Sequence, residues 1–281
     1  MLRPFLSLLI AAVATAVGLG IGLSAADRRA SAIATLRPDS GADALVLVGV
    51  LLLAIAAASL AVHWLGVFIV GAIHLVLGGL AVLVPTGGIL SGAYSPVYEV
   101  TGMLSGIDRH LGEGAAIFYF SGVAVVLGAL LVAAALAVRS GLEAPPTPRP
   151  NAVVASVVGA LALVGGLVLL VMVGDEFVTL LFSRYQYEAT LAFGVAGAAL
   201  LVGIGGLTLR WSSSGGIVVG AVLLAAGLIA FLGWSGLPQE VRGLLIVAYA
   251  LPLFVGVSIL VVSIVAAVRR SAAVPIEADA L

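Results

Sequence analysis

The chain has 281 residues, 63% hydrophobic and only 9% charged, with a formal net charge of -1 and a mean hydropathy of +1.30. That composition displaces the prior of a soluble two-domain protein in favour of a membrane protein, and the balanced charge leaves nothing to hold nucleic acid. Cysteine is absent, which removes disulfides, thiolate catalysis and cysteine-held zinc or iron-sulfur centres.

The apolar stretches follow one another in order. Pro4 to Ala26 ends at SAADRR, which imitates a cleavage site, but the run exceeds the roughly 7 to 15 residues of a secretory core and reads as a retained first span. Asp27 to Asp43 forms a polar loop, 44–62 a second span, and His63-Trp64 a tight turn into a third span over 65–84. So short a turn makes its two helices antiparallel neighbours. In the longest intervening piece, Ser95-Pro96 supplies a cap and a first-turn proline. Val97, Val100, Met103, Leu104, Ile107 and Leu111 then recur at three-to-four spacing. This predicts an amphipathic surface helix over 96–111, before a fourth span over 114–138.

Residues 139–150 are proline-rich and form a linker. Beyond it the spans are 152–174, 189–209, 215–234 and 243–268, with Arg210-Trp211 opening the middle turn. Tyr185 and Tyr187 suit an aromatic belt, Pro252 predicts a kink near Tyr249, and 271–281 reads as a disordered tail. The expected fold is therefore all-α, a polytopic integral membrane protein of eight transmembrane helices. They divide into two tandem parallel four-helix units, 1–138 and 151–270. A duplication accounts for this, because Gly216 to Leu232 can be laid over Val67 to Leu83, with Gly220 on Gly71 and Leu223 on His74.

An even number of spans puts both termini on one side. The arginines split six against six between the faces, so only Arg3 and the Arg269-Arg270 stop point to cytoplasmic ends. All twelve basic residues are arginine; with the alanine, valine, glycine and leucine content this fits a high-GC bacterium, and so a bacterial plasma membrane.

One ionisable residue, His74, falls inside an apolar span, which marks it as a candidate polar site. His63 lies about 16 Å from it by the helical rise, too far for a shared metal ion. A second candidate is the loop polar cluster of Glu99, Asp108, Arg109, His110 and Glu113, with Asp175, Glu176, Arg184 and Glu188 in the other unit. HExxH, P-loop, GxSxG and dinucleotide patterns are missing, so no catalytic, cofactor or metal site is assigned. The expected function is a non-enzymatic accessory, scaffold or assembly subunit acting through helix packing and its extracytoplasmic loops. The alternative is a transporter or channel for a lipid or other hydrophobic small molecule, with a path between the halves. Expected partners are membrane lipids and other membrane proteins or a second copy.

Overall fold

Inside a bilayer the backbone must satisfy its own polar groups, and uninterrupted runs of leucine, valine and alanine do so as helices. The structure is a computed structural model and describes residues 2–35, 39–83, 96–141, 149–180, 188–233 and 244–273. Those residues are helical and contain no strand; eight of the helices are long and apolar enough to cross a membrane. The chain has the make-up of a multi-pass helical membrane protein.

In order the helices are α1 (Leu2–Ala34), α2 (Ser40–Ala58), α3 (Trp64–Leu83), α4 (Pro96–Ile107), α5 (Arg109–Phe120) and α6 (Val123–Gly141). They continue as α7 (Arg149–Thr179), α8 (Ala189–Leu207), α9 (Ser214–Leu232), the single turn α10 (Leu245–Ala248) and α11 (Leu251–Ala273). Single 3-10 turns, Ser59–Ala61 and Thr208–Arg210, close the hairpins α2–α3 and α8–α9. Of the expected linker over 139–150, residues 139–141 belong to α6 and 149–150 to α7, and of the expected tail over 271–281, residues 271–273 belong to α11; 142–148, 274–281, Tyr185 and Tyr187 lie outside the described residues.

Three places differ from the sequence expectation. First, α1 does not stop at Ala26; it continues to Ala34, carrying Asp27, Arg28 and Arg29. Neither glycine nor proline interrupts that stretch, and alanine and arginine are strong helix formers. Second, the surface helix over 96–111 ends at Ile107. Asp108 turns extended and caps α5, its Oδ1 accepting the His110 amide at 3.0 Å. The stretch 114–138 is also divided, at Ser121-Gly122, where Gly122 has φ +82°. Third, the kink expected near Tyr249 is a full interruption. Ala250 adopts φ 56°, a left-handed conformation costing an L-residue about 1–2 kcal/mol. Helix α11 then starts with Pro252 in its first turn, where a missing amide proton breaks no bond.

The core sits on α6 and α11. Their spans are 72% and 67% buried, whereas the other six are 33% to 44% buried and form the perimeter. Neighbouring pairs are α1–α2, α3–α6, α7–α8 and α9–α11, and across the middle α6 packs on α8 and α11 on α2. Backbones meet closely at glycines, because in lipid helices associate through close packing rather than a hydrophobic drive. A Cβ on Gly49 would lie 2.6 Å from the Gly22 Cα, so α1 and α2 touch backbone to backbone. Gly49→Leu should therefore destabilise the protein by about 1–3 kcal/mol in detergent. Gly79→Leu, whose Cβ would meet nothing within 4 Å, should unfold like the parent in the same thermal assay.

Candidate functional site

Two features bring polar side chains together. The first is a groove of about 330 Å³ between α1, α3 and the α4–α5 segment. On α1 the residues Ala12, Thr15, Ala16, Leu19 and Gly20 line it at helical spacing, and the small ones leave the space. Val70, Ile73 and His74 of α3 form the facing wall, and Leu104, Leu111, Ala115 and Tyr119 close it from α4 and α5. Ala12, Ala16 and Ile73 are exposed on the flanks of their spans, so the groove opens sideways, toward the level of the lipid chains.

His74 forms part of that wall and is only 6% exposed. Its Nδ1 lies 3.4 Å from the Tyr119 hydroxyl, and the edge of Phe118 stands against the imidazole with ring centroids 5.9 Å apart. A separation of 3.4 Å is long for this bond. The imidazole and the phenol each have a second donor or acceptor function. The groove is thus an apolar slot of a size usual for small-molecule sites, with three polar groups in its lining, Thr15 from α1, His74 from α3 and Tyr119 from α5.

The second feature is a polar node where α1 outlasts its expected end. Asp27 is 1% exposed. Its Oδ1 accepts from the Tyr249 hydroxyl at 2.5 Å, and its Oδ2 lies 2.7 Å from His110 Nδ1. Ser24 donates to Asp108 Oδ2 at 2.5 Å. That bond, with the His110 amide on the same carboxylate, holds Asp108 below the ordinary carboxylate range. Two residues beyond Asp27, buried Arg29 donates to Asp43 at 3.0 Å and to the Phe231 carbonyl at 2.8 Å, and its guanidinium stacks on the Phe231 ring at 4.3 Å. The Phe231 carbonyl belongs to the last turn of α9, where backbone acceptors lack helical partners and the dipole favours a cation.

Of the residues singled out in the sequence, Asp108 and His110 enter this node. Arg109 and Glu113 pair with each other at 2.6 Å on the exposed side of α5, an arrangement worth little. Asp175 accepts the Ile246 amide at 3.3 Å, tying α7 to α10. Glu188 accepts from Thr190 at the start of α8. Glu99 and Glu176 are exposed, and Arg184 lies outside the described residues. Sequence reasoning missed Ser24, Asp27 and Arg29 as site residues because it placed the charged triplet in a loop. The available signal was the lack of any helix breaker after Ala26.

The chain matches no family profile, no curated protein and no solved structure, so its function is argued from this geometry. Asp27→Ala should leave the Tyr249 hydroxyl unpartnered and cost about 1–3 kcal/mol. Thermal unfolding of the purified protein checks this, and Glu176→Ala is the neutral control.

Proposed function

We propose that this chain is a non-enzymatic membrane protein of two tandem parallel four-helix units. The first unit binds a lipid or other hydrophobic small molecule in the groove beside His74, to carry it across the membrane or present it to another protein. The two-unit reading is supported by pairs of contacts that recur 149 positions apart in the chain. A Cβ on Gly66 would meet the Ser7 carbonyl, and one on Gly215 the Ser156 carbonyl. Ser59 bonds back to the Ala56 carbonyl at 2.7 Å and Thr208 to the Gly205 carbonyl at 2.6 Å. Gly71 faces the Val132 amide on α6, and its counterpart Gly220 faces the Leu260 amide on α11, so the last helix of each unit meets the same glycine but at a different offset along the chain.

The observation that carries the binding reading is the groove itself, set against that register. Ala12, Thr15, Gly20 and His74 line it in the first unit; the positions 149 further on hold Leu161, Val164, Leu169 and Leu223. At these four positions larger apolar side chains replace small or polar ones, whereas Ala16 and Leu19 are matched by the smaller Gly165 and Val168. An apolar ligand with one hydrogen-bonding group, such as a ring carbonyl, hydroxyl or ester, fits a slot whose polar lining is His74, Tyr119 and Thr15. We further place the face where α1 begins and α11 ends in the cytoplasm of a bacterium. The support is Arg3 ahead of the first span and the Arg269-Arg270 pair after the last, since orientation follows basic residues that flank spans.

Gly20 supplies the test, because a Cβ there would meet nothing within 4 Å and a leucine can fill the groove without disturbing the helices. Full-length protein purified from its native membrane in mild detergent should release a hydrophobic compound to mass spectrometry. Gly20→Leu should retain roughly tenfold less, equivalent to about 1.4 kcal/mol, at an unchanged unfolding temperature. Equal content in parent and variant sinks the proposal.

A second reading, an accessory or assembly subunit, is favoured by α4. Met103 is 71% and Ile107 79% exposed on its outer side, while Val97 and Thr101 are buried beneath. An apolar ridge on a surface helix is a place for another membrane protein or a second copy to dock. On this reading Met103→Asp with Ile107→Asp abolishes copurification of a partner, and recovery of an uncomplexed parent counts against it.

A further inference from the structure

The groove beside His74 holds its polar groups far from either membrane surface. Helix α3 has 20 residues from Trp64 to Leu83, enough at about 1.5 Å each to cover the roughly 30 Å of a hydrocarbon core. His74 lies ten residues from Trp64 and nine from Leu83, so it stands about 15 Å down, at the bilayer midplane. On α1, Ser7 donates to the His63 carbonyl at 2.6 Å, which levels it with the turn before α3. Thr15 comes eight residues later. By the same rise it is about 12 Å down, and it lines the groove at nearly the depth of His74.

At that depth two hydrogen-bond donors are left over. Thr15 is 6% exposed, and its hydroxyl makes no hydrogen bond among the described residues. It does not even take the carbonyl four residues back, the usual acceptor for a helical threonine. The pair of His74 and Tyr119 leaves the second donor. With the phenol donating to Nδ1, the imidazole proton sits on Nε2; with Nδ1 donating to the phenol oxygen, the phenol keeps its own proton. Either arrangement leaves one donor unspent across the groove from the Thr15 hydroxyl.

Few ligands answer such a lining. The described residues around the groove include no Arg, Lys, Asp or Glu, so a phosphate or carboxylate at the midplane would be a buried charge without a counterion. An acyl chain would fill the slot and leave both donors unpaired. An alcohol adds a proton of its own, whereas a carbonyl oxygen has two lone pairs and none to place. The space of about 330 Å³ is roughly twice the ~150 Å³ that admits benzene. Ala12, Ala16 and Gly20, four apart on α1, give that wall a flat surface for a fused ring.

We propose that the groove binds a quinone, an uncharged flat ring whose carbonyl oxygen accepts from Thr15 and from the His74–Tyr119 pair while its hydrocarbon tail leaves through the sideways mouth. This rests on the binding reading above and names the ligand class. The test incubates the full chain, stripped of lipid in mild detergent, with a short-tailed menaquinone and measures the quinone that coelutes with the protein by its absorbance. Parallel samples receive triolein, oleic acid or phosphatidylglycerol, measured by mass spectrometry. The parent should hold menaquinone and little of the others, and Gly20→Leu should abolish retention. Thr15→Val should weaken menaquinone binding about fivefold. Its unfolding temperature should not change, because the hydroxyl it removes serves no bond within the protein. Menaquinone held equally by the parent and Thr15→Val overturns the proposal. Retention of triolein, oleic acid or phosphatidylglycerol instead, lost in Gly20→Leu, overturns the quinone and leaves the groove a binding site. Retention of none of the four also overturns it, and the native compound released to mass spectrometry then decides the binding reading by itself.

Discussion

A carboxylate withdrawn from water must be met by donors on every side, and Asp27 is the place where this chain accepts that constraint. Its partners come from parts of the sequence far apart: His110 from α5 and Tyr249 from the junction of α10 and α11. Arg29, two residues further on, reaches the end of α9. The last turns of α1 therefore act as a clamp between the early and late helices. Directional bonds at this node add to the close glycine contacts of the spans in fixing how the helices stand against one another. The break at Ala250 adjoins this node: Tyr249 stands at the interruption, before the left-handed Ala250, and its hydroxyl donates to Asp27.

Glycine and alanine do two different jobs in the spans. Where they face another backbone, as Gly22 and Gly49 do, they let helices approach and remove space. Where they face the gap between α1 and α3, as Ala12, Ala16 and Gly20 do, they create it. The same residue types on one helix thus give a tight seam with α2 and an open slot toward α3. Position around the helix decides which.

The crossing helices were legible because an unbroken apolar run has one stable conformation in lipid, and His74 was legible because it stands alone in such a run. Its surroundings were not, since the groove is built by small residues of α1, more than fifty positions earlier, that read as ordinary span composition. Gly122 was hidden among 36 glycines, and Ala250 gives no local sign of a left-handed backbone. Pro252 did betray the interruption, though not its extent. Asp27 to Arg29 misled because a charged triplet after a long apolar run looks like the exit from a membrane. Helix continuation and burial against other helices can both follow such a triplet when the partners are distant in sequence. Of the polar loop residues, Asp108 and His110 are built into the structure and Glu99 and Glu176 sit on its surface, a difference that spacing alone does not encode.

The sideways mouth of the slot between α1 and α3 has a thermodynamic consequence. On the proposed reading a molecule entering there would come from the hydrocarbon phase without passing through bulk solvent, so its supply would be set by its mole fraction in the leaflet rather than by aqueous solubility. The transfer energy of an apolar body from water would then already be accounted for by the bilayer and contribute nothing to selection. Discrimination would fall to shape and to the few hydrogen bonds near His74.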